Sequence, residues 1–212
     1  MSAARWYFDF VSPFSYLQLR KVLQWRSQLE IEPVPIAFGA VLKACGQLGP
    51  AEIPCKREFT YRFVQWQAEQ AGASLRFPPQ HPFNPLAALR LIIVAGCDRR
   101  AAGAVLDAVF RDGRDVSDPA VIADLAQRLG VRDPQSALAD PAVKQRLRDN
   151  TSWAAARGVF GVPTLLIGEE LFWGDDAFDM ALDYLTRPER FRDPAMQAVE
   201  TLPVGAARQR QQ

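Results

Sequence analysis

The sequence predicts an α/β protein in which one small sheet is interrupted by a large all-helical segment, and three observations carry that reading. A short aromatic run, Trp6 to Phe10, precedes a helical apolar pattern and then a second strand-like run, Ile31 to Phe38. Residues 40–157 hold almost only helical periodicity, with alanine-rich stretches and Asp-Pro starts. After Gly161, two short apolar runs separated by Gly168-Glu169-Glu170 have the form of a hairpin. With 212 residues the chain suits one domain carrying a large insertion. The expected division is a discontinuous sheet-bearing domain at 1–39 and 158–190, a helical insertion at 40–157 and a C-terminal tail at 191–212.

In chain order, Trp6 to Phe10 is short, aromatic and apolar, as a buried strand is. Ser12 then stands at a helix start, with Pro13 at the first helical position, where its missing N–H costs nothing. Tyr16, Leu17, Leu19, Val22, Leu23, Trp25 and Leu29 have helical spacing, so a helix is expected as far as Leu29. In the strand that follows, Pro33 and Pro35 place it at a sheet edge or confine it to its later residues. Strand, helix and strand make a βαβ unit with parallel pairing and a right-handed crossover.

Gly39 to Pro54, with three glycines and two prolines, reads as a loop or a short helical segment. Cys55 to Ala71 has helical periodicity through Phe59, Phe63 and Trp66, and Phe77-Pro78-Pro79 ends that unit. Asn84 begins a helix running to about Cys97, and further helices are expected at about 101–111, 118–129 and 140–157. Asp118-Pro119 and Asp140-Pro141 supply cap and first-turn pairs for the last two. Val162 to Ile167 and Leu171 to Trp173 form the hairpin, and Gly174-Asp175-Asp176 leads to a last helix, Ala177 to about Leu185. From Arg187 the chain is polar and proline-punctuated, a loosely packed tail.

Composition narrows the partners. A net charge of +1 gives no general attraction to nucleic acid or an anionic membrane. No apolar run approaches the roughly 18 residues that span a bilayer. Met1 to Arg5 leads straight into the first strand, so no signal peptide is expected and the location is expected to be cytoplasmic. Cys45, Cys55 and Cys97 form no C-x-x-C pair, which fits reduced thiols. With His81 as the only histidine, a His/Cys metal site has no spacing to support it, and no metal is expected.

Two stretches carry chemistry. Ser12 sits where a strand hands over to a helix N-terminus, and unpaired N–H groups with the positive end of the dipole favour an anion there. An ordinary helix cap is the plain alternative. Val162-Pro163-Thr164 puts a proline at the start of a buried strand, where it removes a ladder donor. A trans strand-start proline accounts for this; so does a cis Val162–Pro163 bond, which turns the Val162 backbone toward an extended peptide-like ligand. Beside the Ser12 motif, the cis form is the one expected. Asp175-Asp176 reads as an acidic helix start or as a receptor for an ammonium. Lys56-Arg57-Glu58 reads as a solvated face, Trp66 as core beside Phe63, and His81, in a loop between prolines, as structural. A Ser12–His81 hydrolase is disfavoured, because no G-x-S-x-G elbow surrounds Ser12.

The element order resembles a thioredoxin-like fold with the all-helical insertion of the DsbA superfamily. In such folds a C-x-x-C dithiol occupies the N-terminus of the first helix, where the dipole lowers a thiol pKa. Here that place reads Ser12-Pro13-Phe14-Ser15, which excludes disulfide exchange. Phe8 to Tyr16, Gly158 to Thr164 and Leu171 to Asp176 together resemble the 2-hydroxychromene-2-carboxylate isomerases, relatives of the kappa-class glutathione transferases. The likeness runs from about Trp6 to Leu185 and takes in Lys43 to Gln47 and Pro54 to Arg57.

The resemblance implies glutathione as cofactor, with Ser12 as the catalytic residue holding its sulfur as a thiolate. Val162 and Pro163 are implied to meet the cysteinyl unit. Asp175 and Asp176 are implied to receive the γ-glutamyl end, Trp173 and Gly174 to bind the cofactor beside them, and Lys56 and Gln47 to contact the tripeptide from the insertion. Gln47 stands where the family is expected to carry asparagine, and Asp175 where kappa relatives carry a small hydroxyl residue. Lys43, Trp66 and Asn84 are candidates for the substrate side. The residue types agree independently. A hydroxyl hydrogen bond and a helix N-terminus each stabilise a thiolate by ~1 kcal/mol, carboxylates suit an ammonium, and lysine suits a carboxylate. The implied reaction is reversible thiolate addition to a small aromatic-derived unsaturated 2-oxo acid, with cis–trans isomerisation, in a homodimer. A kappa-like transferase and a non-redox thioredoxin-like binding module are the alternatives, and Trp173-Gly174 favours the isomerase branch over the kappa branch.

Overall fold

A computed structural model of the chain describes residues 4–25 and 29–206. Strand β1 (Ala4–Phe8) pairs in parallel with β2 (Ile31–Pro35), Ala4 opposite Ile31 and Phe8 opposite Pro35. On its other side β1 is antiparallel to β3 (Thr164–Ile167), which is antiparallel to β4 (Glu170–Trp173). The order β2-β1-β3-β4 leaves the proline-bearing β2 at an edge, where two missing donors break no inner ladder.

Successive side chains of β1 face opposite sides of the sheet. Trp6 and Phe8, stacked 4.5 Å apart, join one buried cluster with Phe10, Leu17, Leu19, Val105 and Leu106. Tyr7 joins the other, with Val34, Ile36, Val41, Ala154, Val159, Val162 and Leu166. The sheet is therefore covered on both faces, which explains why β1 is apolar almost throughout.

Helix α1 (Pro13–Gln24) follows β1 and ends earlier than the expected Leu29; residues 26–28 lie outside the described residues. Eight elements then separate β2 from β3. They are α2 (Phe38–Cys45), a 3-10 turn at Pro50–Glu52, α3 (Pro54–Gln70), α4 (Leu86–Val94), α5 (Arg99–Phe110), α6 (Pro119–Arg128), α7 (Pro134–Ala139) and α8 (Pro141–Ala156). Asp98, Asp118, Asp133 and Asp140 cap α5 to α8 through their carboxylates. The stretch Gly39 to Pro54 is more regular than a loop. Gly46, at φ +62°, and the 2.9 Å bond from Gln47 N–H to the Leu42 carbonyl close α2 there. Helix α4 starts at Leu86 rather than Asn84, whose Oδ1 accepts from the Leu86 N–H at 3.1 Å.

After β4 come α9 (Phe178–Thr186), a 3-10 turn at Pro188–Arg192 and α10 (Pro194–Glu200). The expected loose tail is docked at its start. Phe191 packs on Tyr184 at 5.1 Å and on Phe172 at 6.1 Å, so an apolar ring inside a polar stretch anchors it. Beyond that, α10 is exposed along its length. Among the described residues no helix is long and apolar enough to cross a membrane.

Candidate active site

The site grows from the end of β1. Asp9 to Ser12 form a turn closed by the 3.1 Å bond from Ser12 N–H to the Asp9 carbonyl. The Asp9 carboxylate, fully buried, accepts from Val11 N–H at 3.0 Å and from Phe38 N–H at 2.8 Å, tying the turn to α2. Burial pushes this carboxyl up to about 7 against those backbone donors, which pull it down. Ser12 has extended backbone and caps α1, its Oγ accepting from Ser15 N–H at 3.2 Å.

The Ser12 hydroxyl donates across 150 residues to the Val162 carbonyl at 3.3 Å. The Val162–Pro163 bond is cis. The two separated motifs thus meet at one buried hydroxyl, 5% exposed. Among the described residues the Val162 N–H has no hydrogen-bond acceptor. The Pro163 carbonyl accepts from Gly174 N–H at 2.9 Å, which brings the residues after β4 to the same place. Gly174 lies at φ +95°, where a side chain is strained, and a Cβ there would sit 2.5 Å from Asp176 Oδ1 and displace that carboxylate.

Helix α1 holds this third segment from below. Gln18, fully buried, accepts from Trp6 Nε1 at 2.8 Å and donates to the Gly174 carbonyl at 2.7 Å. Lys21 Nζ reaches both the Asp175 carbonyl at 2.9 Å and its Oδ2 at 3.0 Å. Burial raises the Asp175 carboxyl above its usual range, and Lys21 opposes that. Asp175 Oδ1 is buried with no partner among the described residues, while Asp176 is exposed. Trp173 is half-exposed, lies over Gly161 and packs on Phe160 at 4.9 Å.

The other sequence candidates lie further out. Lys43 on α2, Gln47 just beyond it and Lys56 in the first turn of α3 are all exposed, and no hydrogen bond joins them to Ser12 or Val162. Asn84 serves the start of α4. Trp66 is not core: it is 55% exposed and stacks on Phe63, which stacks on Phe59 and contacts Phe14, two residues from Ser12. Sequence reasoning missed Gln18 and Lys21, for which no local signal exists. It also passed over Asp9, although a lone carboxylate inside an apolar aromatic run is a signal. Among the described residues no group of three His, Cys, Asp or Glu residues is placed to hold a metal ion.

A thiol placed here meets a hydroxyl, a helix N-terminus and an unpaired backbone N–H, but no second thiol. Residues 5–186 match the DsbA-like thioredoxin domain family. The chain is 31% identical to a 2-hydroxychromene-2-carboxylate isomerase of Pseudomonas putida, over 82% of this chain and 89% of that one. The chain belongs to the 2-hydroxychromene-2-carboxylate isomerase family. A solved isomerase of that name superposes with a TM-score of 0.81 at 26% identity, covering 95% of this chain and all of the other. A glutathione S-transferase kappa 2 of Caenorhabditis elegans is 25% identical over 90% of this chain and 93% of its own length. The family membership agrees with the resemblance carried by the Ser12, Val162 and Asp175 stretches.

Proposed function

We propose that this enzyme binds glutathione at Ser12 as a cofactor and isomerises 2-hydroxychromene-2-carboxylate, or a similar unsaturated 2-oxo acid, from the cis to the trans open-chain form. The observation that carries the reading is the Ser12 hydroxyl, held at the N-terminus of α1 and 3.3 Å from the carbonyl before a cis proline. The residues fit a γ-glutamyl peptide. Among the described residues neither the Val162 N–H nor the buried Asp175 Oδ1 has a hydrogen-bond partner.

When bound, glutathione would supply a thiolate nucleophile for reversible addition to the conjugated double bond, the chemistry that permits cis–trans rotation with the thiol regenerated. Ser12 would turn its hydroxyl from the Val162 carbonyl to the sulfur and hold it as an anion without a general base. Val162 would pair with the cysteinyl backbone, as an added strand does. Lys21 holds Asp175 Oδ2, which would leave Oδ1 for the γ-glutamyl ammonium, with exposed Asp176 beside it. Trp173 and Gly174 form the wall between them. Lys56 and Gln47 would take the far carboxylate of the tripeptide, and Lys43 and Asn84 the polar end of the substrate.

The rings of Phe59, Phe63 and Trp66 stack in near-parallel steps of 5.8 and 6.1 Å, with Phe14 of the site against the middle one. They suit the aryl end of the substrate, at an exposed face that otherwise costs solvation. Homodimer formation is carried over from the resemblance, and a cytoplasmic location accords with the free Cys45, Cys55 and Cys97.

A kappa-like transferase is the second reading, favoured by the kappa relative. Calorimetry of glutathione binding to wild type and Ser12→Ala, with thiolate absorbance read alongside, tests the shared site. The wild type should lower the thiol pKa, and Ser12→Ala should lose most of that effect with a smaller loss of affinity. Absence of binding by the wild type removes both enzyme readings and leaves a thioredoxin-like binding module. Turnover of the chromene with glutathione regenerated selects the isomerase, whereas accumulation of a conjugate with a chloronitroarene selects the transferase.

A further inference from the structure

His81 lies outside the motifs that carry the proposed activity, yet it grips the turn that presents Ser12. Its Nε2 is 2.7 Å from the carbonyl oxygen of Val11, the residue before Ser12. A carbonyl only accepts, so Nε2 carries the proton. In the neutral ring Nδ1 is then an acceptor, and the Tyr61 hydroxyl on α3, 2.9 Å from both Nδ1 and the His81 carbonyl, shares its one proton between them. The His81 carbonyl also accepts from Arg57 Nη2 at 2.6 Å, a second tie to α3. Phe77, Phe83 and Phe110 surround the ring edge-on at 5.5–6.1 Å. Burial lowers the imidazole pKa from its ordinary value, so the neutral ring with this tautomer persists at neutral pH.

Val11 is therefore held on both sides, its N–H by Asp9 Oδ1 and its carbonyl by His81. We propose that His81 is a positioning residue for Ser12: its bond from the helical insertion fixes the Asp9–Ser12 turn, and so fixes how closely the Ser12 hydroxyl and the α1 N-terminus approach the bound thiol. The proposal rests on the reading of Ser12 as the thiol site. Hydrogen bonds weaken steeply with distance and angle, so a small shift of this turn reduces thiolate stabilisation before it disturbs the rest of the peptide contacts.

The test is a pH titration of thiolate absorbance for glutathione bound to the wild type, His81→Phe, His81→Gln and Tyr61→Phe. His81→Phe keeps an aromatic ring but removes the donor, and should raise the bound thiol pKa by about one unit, a tenfold smaller thiolate fraction. His81→Gln donates from a similar reach and should return the pKa close to the wild type. Tyr61→Phe removes the hydroxyl that braces His81 from α3 and should move the pKa upward by less. Equal pKa values in the wild type and His81→Phe overturn the proposal. Equal shifts in the Phe and Gln variants also overturn it, since packing alone would then explain them. Should His81→Phe not fold, Tyr61→Phe decides, and an unshifted thiol there overturns the proposal. A wild type that does not lower the thiol pKa removes the Ser12 site itself, a failure distinct from one confined to the variants.

Discussion

Raising the pH from 4 to 8 should cost this protein stability at Asp9. Its carboxyl is fully buried and its pKa is raised from an ordinary 3.8 to about 7, with desolvation outweighing the backbone N–H groups of Phe38, Val11 and Phe10. A carboxyl whose pKa is raised on folding holds its proton more tightly in the folded state. Its contribution is therefore complete below the unfolded value, near pH 4, and is lost as pH climbs through 7. The gap between 3.8 and about 7, at about 1.4 kcal/mol per pH unit, sets an upper limit of ~4 kcal/mol.

The assay is urea unfolding of the wild type and Asp9→Asn at half-unit steps across that range. Subtracting the variant cancels the titration of groups the substitution does not touch. Asp9→Asn turns an amide donor toward one of two backbone N–H groups, and should lose about 1–3 kcal/mol at pH 4. As pH rises, the wild type should lose its advantage and the difference should shrink or change sign. A difference that stays flat, or grows with pH, refutes the reasoning. Growth would mean that the N–H bonds to Asp9 outweigh its desolvation.

Two further outcomes are expected. Gln18→Leu strands the Trp6 indole N–H and the Gly174 carbonyl in a buried place, so it should destabilise by about 2–4 kcal/mol. Thermal unfolding reads this loss, and stability within 0.5 kcal/mol of wild type would contradict the bridge. Gly174→Ala meets both a positive φ and the Asp176 carboxylate, and should weaken glutathione binding in calorimetry while costing about 1–2 kcal/mol of stability. Unchanged affinity would show that this backbone does not shape the site.

Some of the site was legible because its signals are local. Ser12-Pro13 announces a helix start, and Ser12 does cap α1. The prolines of β2 announce an edge, and β2 lies at one. Local spacing was less informative where packing sets the outcome. Trp66 shares helical spacing with Phe59 and Phe63 on α3, yet all three are exposed while Val64 and Ala68 face inward, because only the placement of α3 beside Phe14 decides which stripe is buried. Helix α7 was not expected either, since Pro134 to Ala139 is too short for a periodicity to register.

By itself the sequence determined the aromatic strand, the capped first helix, the proline before β3, the helical run between the two strand pairs, and the replacement of a dithiol by Ser12 and Ser15. Each is a matter of backbone preference or residue type within a few positions. Only the tertiary structure decided that Lys21 meets Asp175, that Gln18 bridges Trp6 to Gly174, that Asp9 holds Phe38, and that His81 holds Val11. These partners lie 29 to 156 residues apart, apart from the Trp6–Gln18 bond. Their meeting depends on which faces of β1, α1 and α3 are buried together, and buried polar groups take whatever partners that packing brings within reach.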